Sequence, residues 1–276
     1  MESIYVGNID EKSFVYHQPY LELNTSYYSY KPAEDDPVGR LVWEVYQVNQ
    51  FDYTKIISIP DACADFMVFY TEEKAYTYVM SGGLGLESME KMPFMKKVHT
   101  IFGVRFYTGA LGNLFSVNVQ DAGANEVDGL DAFENGQDIV KRIMEAENFT
   151  QRWNILSEYL LKRINFDYEN NLIVNYVARQ IIENHGNVRV QNFEENTGYS
   201  GRYLRKLVNE HIGISVKQMC EITKFQWAYH IYGCLNGHVS LSELALQSGY
   251  YDQSHMNNSC KKLTGELPRN IMNIYM

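Results

Sequence analysis

The sequence predicts an α+β fold in two domains, a β-rich N-terminal barrel or sandwich followed by an all-α C-terminal unit. Three observations predict it. The chain has 276 residues, about two average domain lengths. Its first half carries strand-length runs rich in β-branched and aromatic residues, and its last third carries two patterns of short helix, glycine turn and longer helix in tandem. With 45% hydrophobic and 21% charged residues, both units can bury a core. The expected divisions are 1–132 for a β-rich regulatory domain, 133–164 for a helical hairpin, 165–171 for a linker and 172–276 for the helical domain.

The strands are expected at Leu41–Val48, Lys55–Ile59, Asp65–Tyr70, Ala75–Met80, Val98–Phe106 and Leu114–Val117. Pro60-Asp61, Gly82-Gly83, Gly85, Gly109 and Gly112 punctuate them. From Gln137 the periodicity changes. Ile139, Ile143, Met144, Phe149, Trp153, Leu156, Leu160 and Ile164 follow three-to-four spacing, with a break at Asn148-Phe149-Thr150, which makes a helical hairpin. Its apolar stripe either packs on the barrel or forms a homodimer contact. Asn165 to Asn171, polar and acidic, reads as the linker.

In the first C-terminal pattern Val190 and Phe193 lie on a short helix, Gly198 makes the turn and Ser200 caps a second helix. Tyr203, Leu204, Leu207 and Val208 are expected inward, and Arg202, Arg205, Lys206 and Asn209 outward. Val216 to Cys234 reads as one continuous spacer helix with Met219, Ile222, Thr223, Gln226 and Ile231 on one side. It would span roughly 28 Å, comparable to the separation of about 34 Å between successive major-groove faces. Ser240-Leu241-Ser242-Glu243 is a capping box that starts the second pattern. Leu241, Leu244 and Ala245 give that helix an apolar face, Gly249 permits a left-handed turn, and Asp252 caps a longer helix to about Leu263.

From about Asn171 onward the chain resembles the DNA-binding domain of the AraC/XylS transcription regulators. The family ending G-[YF]-x-D-Q-S-H-F, then F-K-K-x-x-G-x-x-P, is matched by the run from Gly249 to Met256 and by Cys260-Lys261-Lys262-Leu263-Thr264-Gly265-Glu266-Leu267-Pro268. Met256 and Cys260 stand where phenylalanines are usual, and Glu194 stands where a small alanine is usual, which would loosen the first helix pair. The resemblance implies DNA contacts by Arg202, Arg205 and Lys206 in the first motif, and by Gln253, Ser254, Asn257 and Asn258 in the second. Arginine suits guanine edges and amides suit adenine edges. Lys261 and Lys262 would touch the sugar-phosphate backbone or stay solvated, and His255 either packs structurally or lies near phosphates.

The overall charge of −10 argues against a polyanionic partner until it is divided. Residues 1–169 hold 14 Lys+Arg and 26 Asp+Glu, net −12, and residues 170–276 hold 10 and 8, net +2. The cations of the second part concentrate on the first recognition helix, so few phosphate contacts and modest non-specific affinity are expected. Dimerisation, a specific site or polymerase contacts would then be needed to occupy promoters well. Met1-Glu2-Ser3-Ile4-Tyr5 lacks a secretory leader's basic region and apolar run, and nothing is apolar for eighteen residues, so a cytoplasmic protein without membrane spans is expected. Cys63, Cys220, Cys234 and Cys260 lack C-x-x-C spacing and read as reduced, buried thiols.

The β-rich part resembles the sensor-like N-terminal domain of one AraC subgroup. The matching segments are Val42-Trp43-Glu44, Pro60 through Phe69, and Gly103-Val104-Arg105-Phe106-Tyr107-Thr108-Gly109. The resemblance implies a cupin-like barrel. An eight-stranded barrel can hold one small ligand, and Trp43, Tyr46, Phe66, Phe69, Tyr78 and Arg105 are the candidate lining, an aromatic wall with one cation for an anionic group. Alternatively the aromatics fill the core and Arg105 pairs with Glu44 or Asp65. Cupin enzymes need clustered His and Glu ligands. His17 and His99 are the only histidines before His185, so no metal, cofactor or catalysis is expected.

The expected function is therefore a regulator that binds promoter DNA as a homodimer, contacts RNA polymerase and answers to a small-molecule effector. Two alternatives stay open. In one the N-terminal domain mediates only protein contacts. In the other an enzyme carries an appended helical domain, which would require an activated cysteine, and Cys63 has no evident partner.

Overall fold

The computed structural model describes residues 14, 16, 18, 26–33, 35–52, 59–81, 92–110, 127–128, 137–163 and 169–272. The N-terminal part is built on one antiparallel sheet. Its strands are β1 (Tyr27–Tyr30), β2 (Val42–Asn49), β3 (Ala64–Tyr70), β4 (Ala75–Ser81), β5 (Thr100–Phe106) and β6 (Val127–Asp128). The order across the sheet is β1-β2-β5-β3-β4-β6. Of the expected strands, all of Leu114–Val117 and residues 55–58 of Lys55–Ile59 lie outside the described residues. β1 and β6 were not legible as strands: one is four residues long, the other two.

Period-two alternation sends side chains to opposite faces, and both faces are covered. On one, Val45, Phe66, Val68, Phe102 and Val104 pack beneath the helical hairpin α1 (Gln137–Glu145) and α2 (Phe149–Leu161), with Val140, Ile143, Leu156 and Leu160 buried against them. On the other, Tyr46, Val48, Met67, Phe69 and Ile101 pack with Phe94 and Met95. The hairpin breaks where expected, because Asn148 caps α2 by accepting a hydrogen bond from the Gln151 amide at 3.0 Å. The apolar stripe is spent on the sheet, so the periodicity that suggested a homodimer surface is already satisfied within the chain. Arg152, absent from that stripe, fastens the hairpin down. Its guanidinium donates to the Tyr70 hydroxyl (2.8 Å), the Gln47 side-chain oxygen (2.7 Å) and the Ala146 carbonyl (2.8 Å).

The C-terminal part is helical: α3 (Glu169–Glu183), α4 (Val190–Thr197), α5 (Gly201–Ile212), α6 (Val216–Cys234), α7 (Leu241–Gln247), α8 (Gln253–Thr264) and α9 (Pro268–Met272). The spacer α6 differs from expectation in one respect. Instead of one inward side, every residue from Phe225 to Tyr232 is buried. The reason is the N-terminal domain, which covers the side that the other C-terminal helices leave open. Tyr16 hydrogen-bonds Thr223 (Oη to Oγ1, 2.8 Å), and the Gln226 amide donates to the Pro60 carbonyl at 2.9 Å. Phe14 meets Trp227 edge-on at 5.2 Å, and His185 stacks on the same indole at 3.7 Å. Tyr16, Ala62 and Cys63 thus belong to the core around α3, α5 and α6, and Ile59 to the core around α6 to α9.

Candidate nucleic-acid interface

The first motif is α4, a turn and α5. Gly198 ends α4 at φ 73°, and the Ser200 hydroxyl accepts from the Tyr203 amide at 3.3 Å to start α5. Glu194 does not loosen this pair. Its carboxylate accepts from the Gly201 amide, so the negative charge sits on the N-terminus of the recognition helix, where dipole and open amides favour it. Gly201 makes room: a Cβ there would lie 2.7 Å from the Glu194 oxygen and 3.0 Å from Val190 Cγ1. Leu204, Leu207, Val208 and Ile212 face inward. Tyr203, expected inward, is 36% exposed and pairs with Tyr199 at 5.1 Å between ring centroids, because the face it lies on carries no core. Arg202, Arg205 and Lys206 are exposed as expected, with Lys206 held 3.5 Å from Glu210.

In the second motif the Ser240 capping box closes at both ends, and the Ser240 hydroxyl and amide hold the Glu243 carboxyl below its ordinary range. Gly249 turns at φ 81°, and the Asp252 carboxylate accepts from the His255 amide at 2.7 Å to start α8. Ser254, Asn258 and Lys261 are exposed. Two expected contacts fit less well. Asn257 is half-buried with its side-chain oxygen enclosed in the protein, and Gln253 is half-buried with its oxygen accepting from Ser242 at 2.8 Å. Both lie on the flank of α8 that turns toward its neighbours. His255 is placed structurally, accepting from the Tyr251 amide at 3.3 Å and meeting Tyr250 edge-on. Lys262 is engaged with Glu221 of the spacer at 3.3 Å.

Residues that sequence reasoning did not single out lock the two motifs to the spacer. Lys224 of α6 donates to the Gly249 carbonyl at 3.1 Å and lies over the Tyr250 ring, and burial lowers its pKa. Asn187, which precedes the first motif, sits against Gly249 of the second; a Cβ at Gly249 would come within 2.4 Å of its side chain. The signal for Lys224 was weak, one of two lysines on a helix of mixed polarity. The two longer helices α5 and α8 both pack on α6.

The six expected ligand residues are not gathered around one space. Phe66 faces the helical hairpin, whereas Tyr46 and Phe69 point to the opposite face and Tyr78 stacks on Phe94 at 5.7 Å. Alternation along the strands separates them. Arg105 is buried among carboxylates, its Nε 3.4 Å from Asp61 and 3.3 Å from Asp65, with Nη1 3.9 Å from Glu44. The Tyr46 hydroxyl donates to Asp65 at 3.1 Å, and burial pushes the Asp65 carboxyl up to about 6 against the pull of Arg105. Trp43 borders a cavity that lies where the sheet domain meets α3. Cys63 and Cys260 are buried as expected, but Cys220 is half-buried and Cys234 is exposed, since it ends α6 beyond the covered stretch. Burial pushes the pKa of the Cys63 thiol well above its ordinary value. Among the described residues no helix is long and apolar enough to cross a membrane.

Residues 194–273 match the family model described as a helix-turn-helix domain. The chain is 30% identical over 80 residues to the invasion protein InvF of Salmonella typhi and to InvF of Salmonella typhimurium. That match spans 29% of this chain and 36% of the relatives, about a third of their length. Two structures of ToxT from Vibrio cholerae align over 90% and 91% of this chain and 98% of theirs, at 12% and 10% identity and a TM-score of 0.40 each. The family match falls on the elements just described, from the last turn of α4 through α9. Residues 194–273 form a helix-turn-helix domain.

Proposed function

We propose that this chain is a transcription regulator that reads two adjacent major-groove faces of one promoter duplex through α5 and α8, under the control of its N-terminal domain. One observation carries this reading. Two capped recognition helices with exposed polar faces, Arg202, Arg205 and Lys206 on one and Ser254 and Asn258 on the other, are fixed to a single spacer helix. Side chains at the N-terminal half of such a helix reach base edges, and the spacer sets the distance between the two readings. Lys261 adds a cation for the phosphate backbone.

Control by the N-terminal domain is supported by what that domain touches. It contacts α6 through Tyr16 and Pro60, and α6 also carries Lys224 and Glu221, which hold the second motif. A small molecule acting at the N-terminal domain could therefore change how the two helices meet DNA. Self-association and RNA polymerase contact complete the proposal, because a domain of net charge +2 makes few phosphate contacts by itself. Mapping bound sites across the genome, followed by fluorescence anisotropy of the full chain on the recovered duplex, tests the reading. The expected site has two half-elements about one helical turn apart. Binding that is independent of sequence, or satisfied by a single half-element, would refute it.

A further inference from the structure

Glu44, Asp61 and Asp65 surround Arg105, and all four residues are buried. One guanidinium cannot neutralise three carboxylates, and burial penalises each charge left uncompensated. The hydrogen-bond donors are shared unequally. Asp61 accepts from the Gln18 amide at 2.7 Å and from the Cys63 backbone amide at 3.0 Å, and Glu44 accepts from the Tyr27 hydroxyl at 2.9 Å. Asp65 accepts from the Tyr46 hydroxyl at 3.1 Å and from Arg105 Nε at 3.5 Å. Its bonds are the longest of the set, so it holds its charge least well, and burial pushes its carboxyl up to about 6.

This cluster adjoins the segment through which the sheet domain meets the helices. Between Asp61 and Asp65, Ala62 is held at φ 56°, a left-handed backbone that alanine rarely adopts, and its carbonyl accepts from the Thr108 hydroxyl at 3.0 Å. Ala62 and Cys63 enter the core around α3, α5 and α6, and the Pro60 carbonyl accepts from Gln226 of α6. The Gln18 side chain joins Asp61 to the Ile59 carbonyl. We propose that the cluster makes the joint between the sheet domain and α6 pH-sensitive, and that protonation of Asp65 tightens it. Among the described residues, the titratable groups around Asp65 are Glu44 and Tyr46 from β2, Arg105 from β5, and Asp61 and Cys63 from its own segment, with Tyr16 beside Asp61. Burial pushes Cys63 and Tyr16 up, so both stay neutral in mild acid. The Asp65 carboxyl is raised on folding, so its stabilising contribution is fully present below the unfolded value of about 3.9 and is lost as pH rises through about 6.

Hydrogen exchange of the full chain, followed by mass spectrometry and corrected for the intrinsic pH dependence of exchange, reads the joint at residues 59–63 and 222–228. Between about pH 7.5 and 5, wild-type protection there should rise about tenfold relative to Asp65→Asn, whose neutral amide does not titrate. His211, whose pKa burial lowers, gives the opposite slope in both chains and cancels in the comparison. Tyr46→Phe loses the hydroxyl that favours the ionised carboxylate and should move the midpoint of the rise to higher pH. An equal pH response in wild type and Asp65→Asn would overturn the proposal. So would a midpoint unmoved by Tyr46→Phe, which decides the matter if Asp65→Asn does not fold. A regulatory consequence rests on the reading that the N-terminal domain controls DNA binding. Across the same range the Kd for the recovered duplex should change about threefold more in wild type than in Asp65→Asn, and equal changes would overturn that consequence. A joint that tightens as expected in a chain that binds no specific duplex would refute the regulator reading and leave the pH-sensitive joint standing.

Discussion

The two helix-turn-helix motifs share a plan and differ in how they are held. The first carries three exposed cations on α5, and within the motif its turn is secured chiefly by Ser200 and by Glu194 on the Gly201 amide. The second presents exposed amide and hydroxyl groups on α8, and it is clamped to its surroundings by Lys224, Asn187 and the Lys262–Glu221 pair. On the function proposed above, the difference separates two tasks. A motif that grips by charge tolerates small shifts, since Coulomb attraction falls slowly with distance. A motif that reads by directional hydrogen bonds needs its helix fixed, since those weaken steeply with angle.

The largest expected effect breaks the symmetry between the two turn glycines. Gly249→Ala must accept a left-handed backbone and also push Asn187 aside, whereas Gly198→Ala meets nothing within 4 Å. Backbone strain alone costs about 1–3 kcal/mol. Chemical denaturation should therefore find Gly249→Ala clearly more destabilising than Gly198→Ala. Equal losses would mean that the second turn is no more constrained than the first.

Arg205→Ala and Asn258→Ala should each weaken binding to the cognate duplex by about 1–3 kcal/mol and relax preference at one base position. Their salt dependence should differ. Where a removed cation contacted a phosphate, the slope of log K against log salt falls by roughly one, and Asn258→Ala should leave it unchanged. The same fall in slope for both variants would end the division between gripping and reading. Next, Glu194→Ala removes an N-terminal partner of α5 and should cost about 1 kcal/mol of stability. Gly201→Ala, crowded in the native chain, should be better tolerated in that background, and a double-mutant cycle measures the coupling. The smallest effect is expected from Lys262→Ala, under about 1 kcal/mol, because the lysine is largely exposed and the pair is screened by salt.

The helical half was legible in the sequence because its punctuation is local. Ser200, Gly198, Ser240, Gly249 and Asp252 act within a turn of themselves, and each lies where the pattern placed it. The hairpin break at Asn148 has the same origin. What sequence could not give were pairings over long separations. Arg152 finds its partners in Gln47 and Tyr70, far along the chain, and Arg105 had several carboxylates to choose from. The candidate ligand wall failed for a related reason: aromatic content identifies buried strands, but strand parity decides which rings share a face. Thr223 and Gln226 were grouped with Met219, Ile222 and Ile231 on one side of the spacer, but their polar partners, Tyr16 and the Pro60 carbonyl, come from far along the chain.

That last contact has a consequence for how the molecule comes apart. Tyr16, Ile59, Ala62 and Cys63 lie in hydrophobic clusters whose other members belong to the DNA-binding helices. A severed C-terminal fragment would expose Trp227 and Gln226 to water. The two domains are separate in sequence and topology but continuous in their interior, so calorimetry of the intact chain should show a single cooperative melting transition rather than two.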